Sequence, residues 1–294
     1  PHPSSCAWPT ICGTSCGRES AVTATTAARA LPRAGTREGQ LARLRGTWPS
    51  VFGLVAFFAG WEVLIRATNT PAFVVPPPSL VVKRLWEEFP SYAYEFSFTL
   101  AAAAIGLAIG TTVGIVGAVL MANWRILEKS LFPLAVILKL VPFVAIAPLL
   151  RIWLGYELQP KILLAALITF FPVLVNCITG FRSVDPLALE FFRSVGASRW
   201  EILTRLRWMT AQPHLFAALK VNVNLALAGA IVGELFSSKN GIGMVINDTA
   251  LNLDIPAMFA AILFLAITGV ALTLFMNWSE RRVLSWHESV RATR

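Results

Sequence analysis

The sequence predicts an all-α polytopic membrane protein with about six transmembrane helices and both termini on the cytoplasmic side. Of its 294 residues, 56% are hydrophobic and only 14% are charged, against about 25% charged in an ordinary soluble domain. Apolar stretches near the ~20 residues that a helix needs to cross a bilayer recur along the chain, and the one at 96–121 carries no charge at all. The formal net charge of +9 fits the excess of Lys and Arg on cytoplasmic loops, so it reads as a topology signal and not as a nucleic-acid footprint.

Residues 1–47 are rich in Ala, Thr, Arg, Gly and Pro without sustained apolar periodicity. They read as a disordered cytoplasmic leader or an over-extended reading frame. A membrane domain over 48–286 follows, then a short cytoplasmic tail at 287–294. The first span is expected at 48–65 and the second at 96–121. The third, at 131–153, is expected to be broken by Pro133, Pro142 and Pro148, because proline removes a backbone donor and disturbs the preceding turn. The fourth lies at 162–180, the fifth at 215–236 and the sixth at 255–278. With the N-terminus inside, Arg125, Lys129, Arg182, Arg193, Arg199, Arg205, Arg207, Arg281 and Arg282 fall on the cytoplasmic side. Only Lys83, Arg84, Lys161 and Lys239 fall outside, with Arg66 at the border.

Metal and redox chemistry find no footing in the motifs. Cys6, Cys12 and Cys16 lie in the leader and Cys177 in an apolar segment, without a CxxC pair or a nearby histidine, so plain thiols are expected and no metal site. His2, His214 and His287 are all outside the predicted membrane core. No GxxxxGK[ST] phosphate loop or HExxH occurs in the 294 residues, so no cofactor or catalytic group is expected and energy for uphill transport must come from elsewhere.

The largest cytosolic feature after the leader is the loop at 181–214, which contains "DPLALEFFRSVGASRWEILTRLR". Asp185 is placed to cap a short helix, with Pro186 at the first helical position where its missing N–H is harmless. Gly196 can end that helix with positive φ. Ser198 and Glu201 have the spacing of a capping box, in which each side chain satisfies a backbone N–H at the next helix start. Phe191, Phe192 and Trp200 give this element more apolar surface than a connector needs, which suits docking into a partner's groove or lying at the membrane surface.

Glu190 followed six residues later by Gly196, with "VGASRWE" at 195–201 and Pro213 downstream, resembles the EAA loop of permease subunits of binding-protein-dependent ABC importers. The region from about 48 to 286 is similar to the nitrate/sulfonate/taurine-type branch in "VPPPS" at 75–79, "VAIAPLLRIWLG" at 144–155, "GFRSVDP" at 180–186, "VGE" at 232–234 and "GIG" at 241–243. The resemblance implies a cytosolic ABC ATPase dimer docking on the coupling residues Glu190, Phe191, Phe192, Gly196, Ala197, Ser198, Arg199, Trp200 and Glu201. It also implies an external solute-binding protein, a second permease copy and a bacterial inner-membrane location. The solute it implies is small: a sulfonate-, taurine- or nitrate-like anion, or a vitamin precursor. Phe191 and Phe192 stand where the family usually has two alanines, and Trp208 and Met209 where it has Leu-Pro.

Polar residues within spans are the candidates for a solute pathway, since one charge at a helix centre costs about 2.5–3.5 kcal/mol on insertion scales. Lys139, Asn222, Asn224 and Glu234 are the candidates, with Lys220 and Glu62 placed lower, and Pro142 joins them as a break in the third span's hydrogen-bond ladder. Each also has a structural reading, by snorkelling to the interface or by hydrogen bonding between helices. The rival readings are a secondary transporter or channel without an ATPase, for which inverted repeats are expected, and a membrane enzyme.

Overall fold

The computed structural model describes residues 37–237 and 239–283. Most of the leader expected at 1–47, with His2 and the three cysteines in it, lies outside the described residues, as does the tail expected at 287–294 with His287. The described residues divide between two units at Pro49 and Ser50. In the first, residues 37–49 are helical, being the start of α1 (Arg37–Ala67). The helix therefore begins earlier than the apolar span alone indicates, in a stretch, "REGQLARLR", made largely of strong helix formers.

The second unit continues with α2 (Pro78–Glu87), α3 (Phe89–Asn123), α4 (Arg125–Leu140), α5 (Phe143–Leu154) and α6 (Leu158–Arg182). After these come α7 (Pro186–Ser194), α8 (Arg199–Glu201), a π-helical segment (Ile202–Arg207), α9 (Trp208–Ser237), α10 (Ile242–Leu251) and α11 (Ile255–Val283). Four helical stretches are long and apolar enough to cross a membrane: Phe89–Asn123, Leu158–Arg182, Arg199–Phe236 and Ile255–Val283. The pair Ile126–Leu140 and Phe143–Leu154 passes together but is bent by 95°. These match the expected second to sixth spans; the first falls within α1.

Only one of the three prolines expected to break the third span does so. Pro133 and Pro148 lie inside α4 and α5, while Pro142 stands at the N-cap of α5 after Val141, which is extended at ψ 127°. Steric conflict with the proline ring pushes the preceding residue out of the α region, and two successive extended residues suffice to turn the chain. The outer connections, expected as loops, contain α2 and α10. Glu62 of α1 holds the first turn of α2, accepting from the Ser79 backbone N–H at 3.1 Å and its hydroxyl at 2.8 Å.

The centre is α6 packed against α3 on one side and α9 on the other. Close approach follows from small residues at four-residue spacing. A Cβ on Gly106 would fall 2.5 Å from the Ala165 Cβ, and one on Gly114 would fall 2.9 Å from Val173. On α9, a Cβ at Gly229 or Gly233 would fall 2.8 Å from the Cα of Ala165 or Lys161. Small residues at every fourth position let helix backbones meet where lipid supplies no hydrophobic drive. A neighbouring face of α3 exposes Ile105, Ile109, Val113 and Val116, so over 96–121 the helix is apolar beyond the face that packs on α6, as a lipid-facing span must be.

Candidate functional site

The loop expected at 181–214 folds as its residues dictate. Asp185 Oδ1 accepts from the Leu187 N–H at 3.1 Å and Pro186 opens α7. The helix closes with Gly196 at φ 74°. There the Ala197 N–H donates to Phe192 O and the Gly196 N–H to Arg193 O, both at 3.0 Å. This is the Schellman pair of bonds, which needs a left-handed residue between them. The capping box is complete: Glu201 N–H donates to Ser198 Oγ at 3.2 Å and Ser198 N–H to Glu201 Oε2 at 2.8 Å. Those Ser198 bonds, the backbone one foremost, hold the Glu201 carboxyl below the usual glutamate range.

The second loop helix does not end within the expected 181–214 loop. It runs from Arg199 through the π-helical turn directly into α9, so the loop and the fifth span are one helical rod. Buried Ile202 and Leu203 fix its base, and Arg207 Nη1 reaches the Ala122 carbonyl at the end of α3 at 3.2 Å. Trp208 and Phe181 pack with ring centroids 6.5 Å apart, whereas Met209 is exposed. The outward surface carries Leu187, Phe191, Val195 and Trp200, of which Phe191 is 64% and Trp200 67% exposed. Glu190, Ser198, Arg199 and Glu201 are also exposed, while Phe192 and Ala197 are half-buried. Phe192 meets Phe191 edge to face at 6.3 Å.

The five candidates within the spans do not converge on one cavity. Glu234 of α9 is buried with Lys161 of α6, their charged atoms 3.4 Å apart. The Glu234 carboxylate also accepts from the Thr99 hydroxyl and the Gly243 N–H, both at 2.9 Å. Lys161 Nζ donates to Asn240 O at 2.6 Å. Around the same turn, Gly241 N–H donates to Glu95 and Ile242 N–H to Thr99. Asn222 is fully buried, its side-chain NH₂ donating to Thr169 O of α6 at 2.8 Å. Asn224 turns the other way, to Thr273 of α11 at 2.9 Å. Lys220 pairs with Glu280 of α11.

Lys139 ends α4 just before Pro142, and its Nζ lies 5.1 Å from the centroid of the Phe171 ring. It lines a cavity of about 350 Å³ with Phe143, Phe171, Asn176 and Leu225. Sequence reasoning missed these partners because Phe143, Phe171 and Leu225 look like ordinary span residues. It also missed Lys161, read as an outer-loop charge although it opens a 25-residue apolar helix. Among the described residues no group of three His, Cys, Asp or Glu could hold a metal ion.

Residues 106–285 match the family model described as binding-protein-dependent transport system inner membrane component. The riboflavin transport system permease protein of Chloroflexus aurantiacus is 32% identical over 250 residues, covering 83% of this chain and 93% of that one. The formylaminopyrimidine transport permease protein of Halalkalibacterium halodurans is 30% identical over 241 residues, covering 82% and 96%. Among solved structures, an inward-facing MetNI methionine ABC transporter aligns with a TM-score of 0.51 at 19% identity, over 75% of this chain and 99% of the other, which is a likeness of fold.

Proposed function

This chain belongs to the binding-protein-dependent transport system inner membrane component family, and on that premise we propose that its cytosolic loop couples solute movement to a partner ATPase. The chain is a multi-pass membrane permease subunit of an ABC importer for a small solute. The observation that carries the coupling role is the exposed face of Leu187, Phe191, Val195 and Trp200, with Trp200 on the helix continuous with α9.

Docking of these side chains in a cleft of a cytosolic ATPase dimer would bury them as anchors at the centre of an interface. From Trp200 to Glu234 the rod is roughly 50 Å long at about 1.5 Å per residue. A push on the loop therefore reaches the outer turn at Gly241–Gly243 without an intervening hinge loop. ATP-driven closure of the partner pair would then switch the spans between outward-open and inward-open packings as rigid bodies. This chain performs no covalent step.

A second permease copy would complete the pathway, and an external binding protein would deliver the solute. The bent α4–α5 pair borders that pathway in this reading, because backbone freed of helical bonds is tolerated in a membrane only against protein or a water-filled cavity. Lys139 and Pro142 stand at the bend, and Asn224 faces a second cavity beside α11. Asn222 and Glu234 brace the same wall from behind. The resemblance to sulfonate and taurine permeases supports a small anion, and the two relatives above support a vitamin or its precursor.

Co-expression with a cytosolic ABC ATPase from the same organism tests the coupling role. Phe191→Asp with Trp200→Asp is expected to abolish co-purification while the permease stays folded in detergent. Retained association and retained uptake would refute it.

A further inference from the structure

Lys139 presents an ammonium group next to a ring that sits midway along α6, at the depth where a lone charge is least tolerated. Among the described residues no carboxylate lies within ion-pair distance of it; its contact is the π-face of Phe171 at 5.1 Å. The other lysines at membrane depth are matched, Lys161 to Glu234 and Lys220 to Glu280. Lys139 instead borders the 350 Å³ cavity, within the size range of small-molecule sites, about 300 to 1,000 Å³. Asn176 gives that cavity an amide, its NH₂ already donating to Pro172 O at 2.8 Å.

We infer that this cavity is a charge-selective subsite of the permease itself, holding an anionic group of the passing solute against Lys139, with Phe143 and Phe171 as its apolar walls. The inference rests on the permease reading and adds that selection is not left entirely to an external binding protein. Three features fit one another. The Phe171 face steadies the cation without neutralising it. The break at Val141 and Pro142 lets α4 end with Lys139 at this depth. Lys139 is exposed at the mouth of this cavity, so an entering anion reaches the ammonium directly.

The test places a thiol in the cavity by Asn176→Cys, in a background where the four natural cysteines are replaced by Ser or, at Cys177, by Ala. The permease–ATPase complex in nanodiscs is treated with a sulfonatoethyl or a trimethylammonioethyl methanethiosulfonate, each rate normalised to a free thiol. With Lys139 present, the anionic reagent is expected to react about tenfold faster than the cationic one, the size of field a nearby ammonium gives at intermediate dielectric. Lys139→Met should bring the ratio to about one, and Lys139→Arg should keep it, since both basic side chains remain charged.

A ratio unchanged by Lys139→Met, a preference for the cation, or no modification by either reagent would overturn the subsite. ATP hydrolysis by the same preparation, and its loss on Phe191→Asp, reports separately on the permease reading. A failed subsite with intact coupling is thereby distinguished from a failed permease.

Discussion

The Glu234 carboxylate and the Lys161 ammonium lie 3.4 Å apart with side chains 0% and 4% exposed. Thr99 and the Gly243 N–H complete the carboxylate's hydrogen bonds, and the Asn240 carbonyl accepts a hydrogen bond from the ammonium. One buried pair thus joins α3, α6, α9 and the turn into α10. Glycine is needed on that turn for two reasons: Gly241 has φ 122°, and a Cβ at Gly243 would fall 2.7 Å from the Cβ of Glu234.

Breaking this pair from one side should be worse than removing both charges. Lys161→Met leaves a buried carboxylate without its counter-ion, a change that typically costs about 3–5 kcal/mol. The double variant Lys161→Met with Glu234→Gln should recover part of the loss, because no uncompensated charge remains. Thermal unfolding of the detergent-solubilised protein, run as a double-mutant cycle, measures the coupling. Strictly additive losses would mean that the pair does not brace the turn.

At Gly196 the expected ranking follows from backbone conformation alone, since nothing lies within 4 Å of a Cβ built there. An L-residue pays about 1–2 kcal/mol to adopt a left-handed conformation, and Asn least among them. Gly196→Asn should therefore keep ATPase association close to the natural level, Gly196→Ala should weaken it and Gly196→Val should weaken it most. Association measured by co-purification and by stimulated ATP turnover checks the order; equal behaviour of Asn and Val would show that the turn's shape is irrelevant to docking.

The loop was legible in the sequence because each of its bonds is local. Asp185, Gly196, Ser198 and Glu201 all act within a few residues of themselves, so spacing alone specifies the partners. The spans were legible for a similar reason, through length and apolar content. What spacing does not carry is the pairing between distant segments. Lys161 and Glu234 are 73 positions apart, and only the packing of α6 on α9 brings them together. Pro133 and Pro148 show the converse: a local rule overridden because surrounding helices and the rest of the turn hold the backbone.

The capping box should make loop order depend on pH in the acid range. Glu201 titrates below the usual glutamate range when folded, so its contribution is complete above the ordinary unfolded value and is lost as pH falls through the depressed folded one. Hydrogen-exchange protection of residues 198–204, normalised for intrinsic exchange, should hold steady near neutrality and fall in acid. Glu201→Gln, which keeps an acceptor but does not titrate, should flatten that fall. A Gln variant with the same acid profile would place the transition elsewhere.

Phe191 and Phe192 are adjacent but differ in exposure, so they should separate docking from folding. Phe191 is 64% exposed and its truncation removes little buried surface, so Phe191→Ala should change stability by no more than about 0.5 kcal/mol. Phe192 is half-buried and meets the Phe191 ring edge to face at 6.3 Å, so Phe192→Ala should cost more in folding. For association the order reverses. An aromatic anchor that becomes buried on docking is worth about 2 kcal/mol or more when truncated, which is a loss of roughly thirtyfold in affinity for the ATPase at about 1.4 kcal/mol per decade. Unfolding and binding measured on the same two variants give a crossed pattern if Phe191 is the anchor and Phe192 its support; parallel losses would make both part of the fold and leave Trp200 as the docking residue.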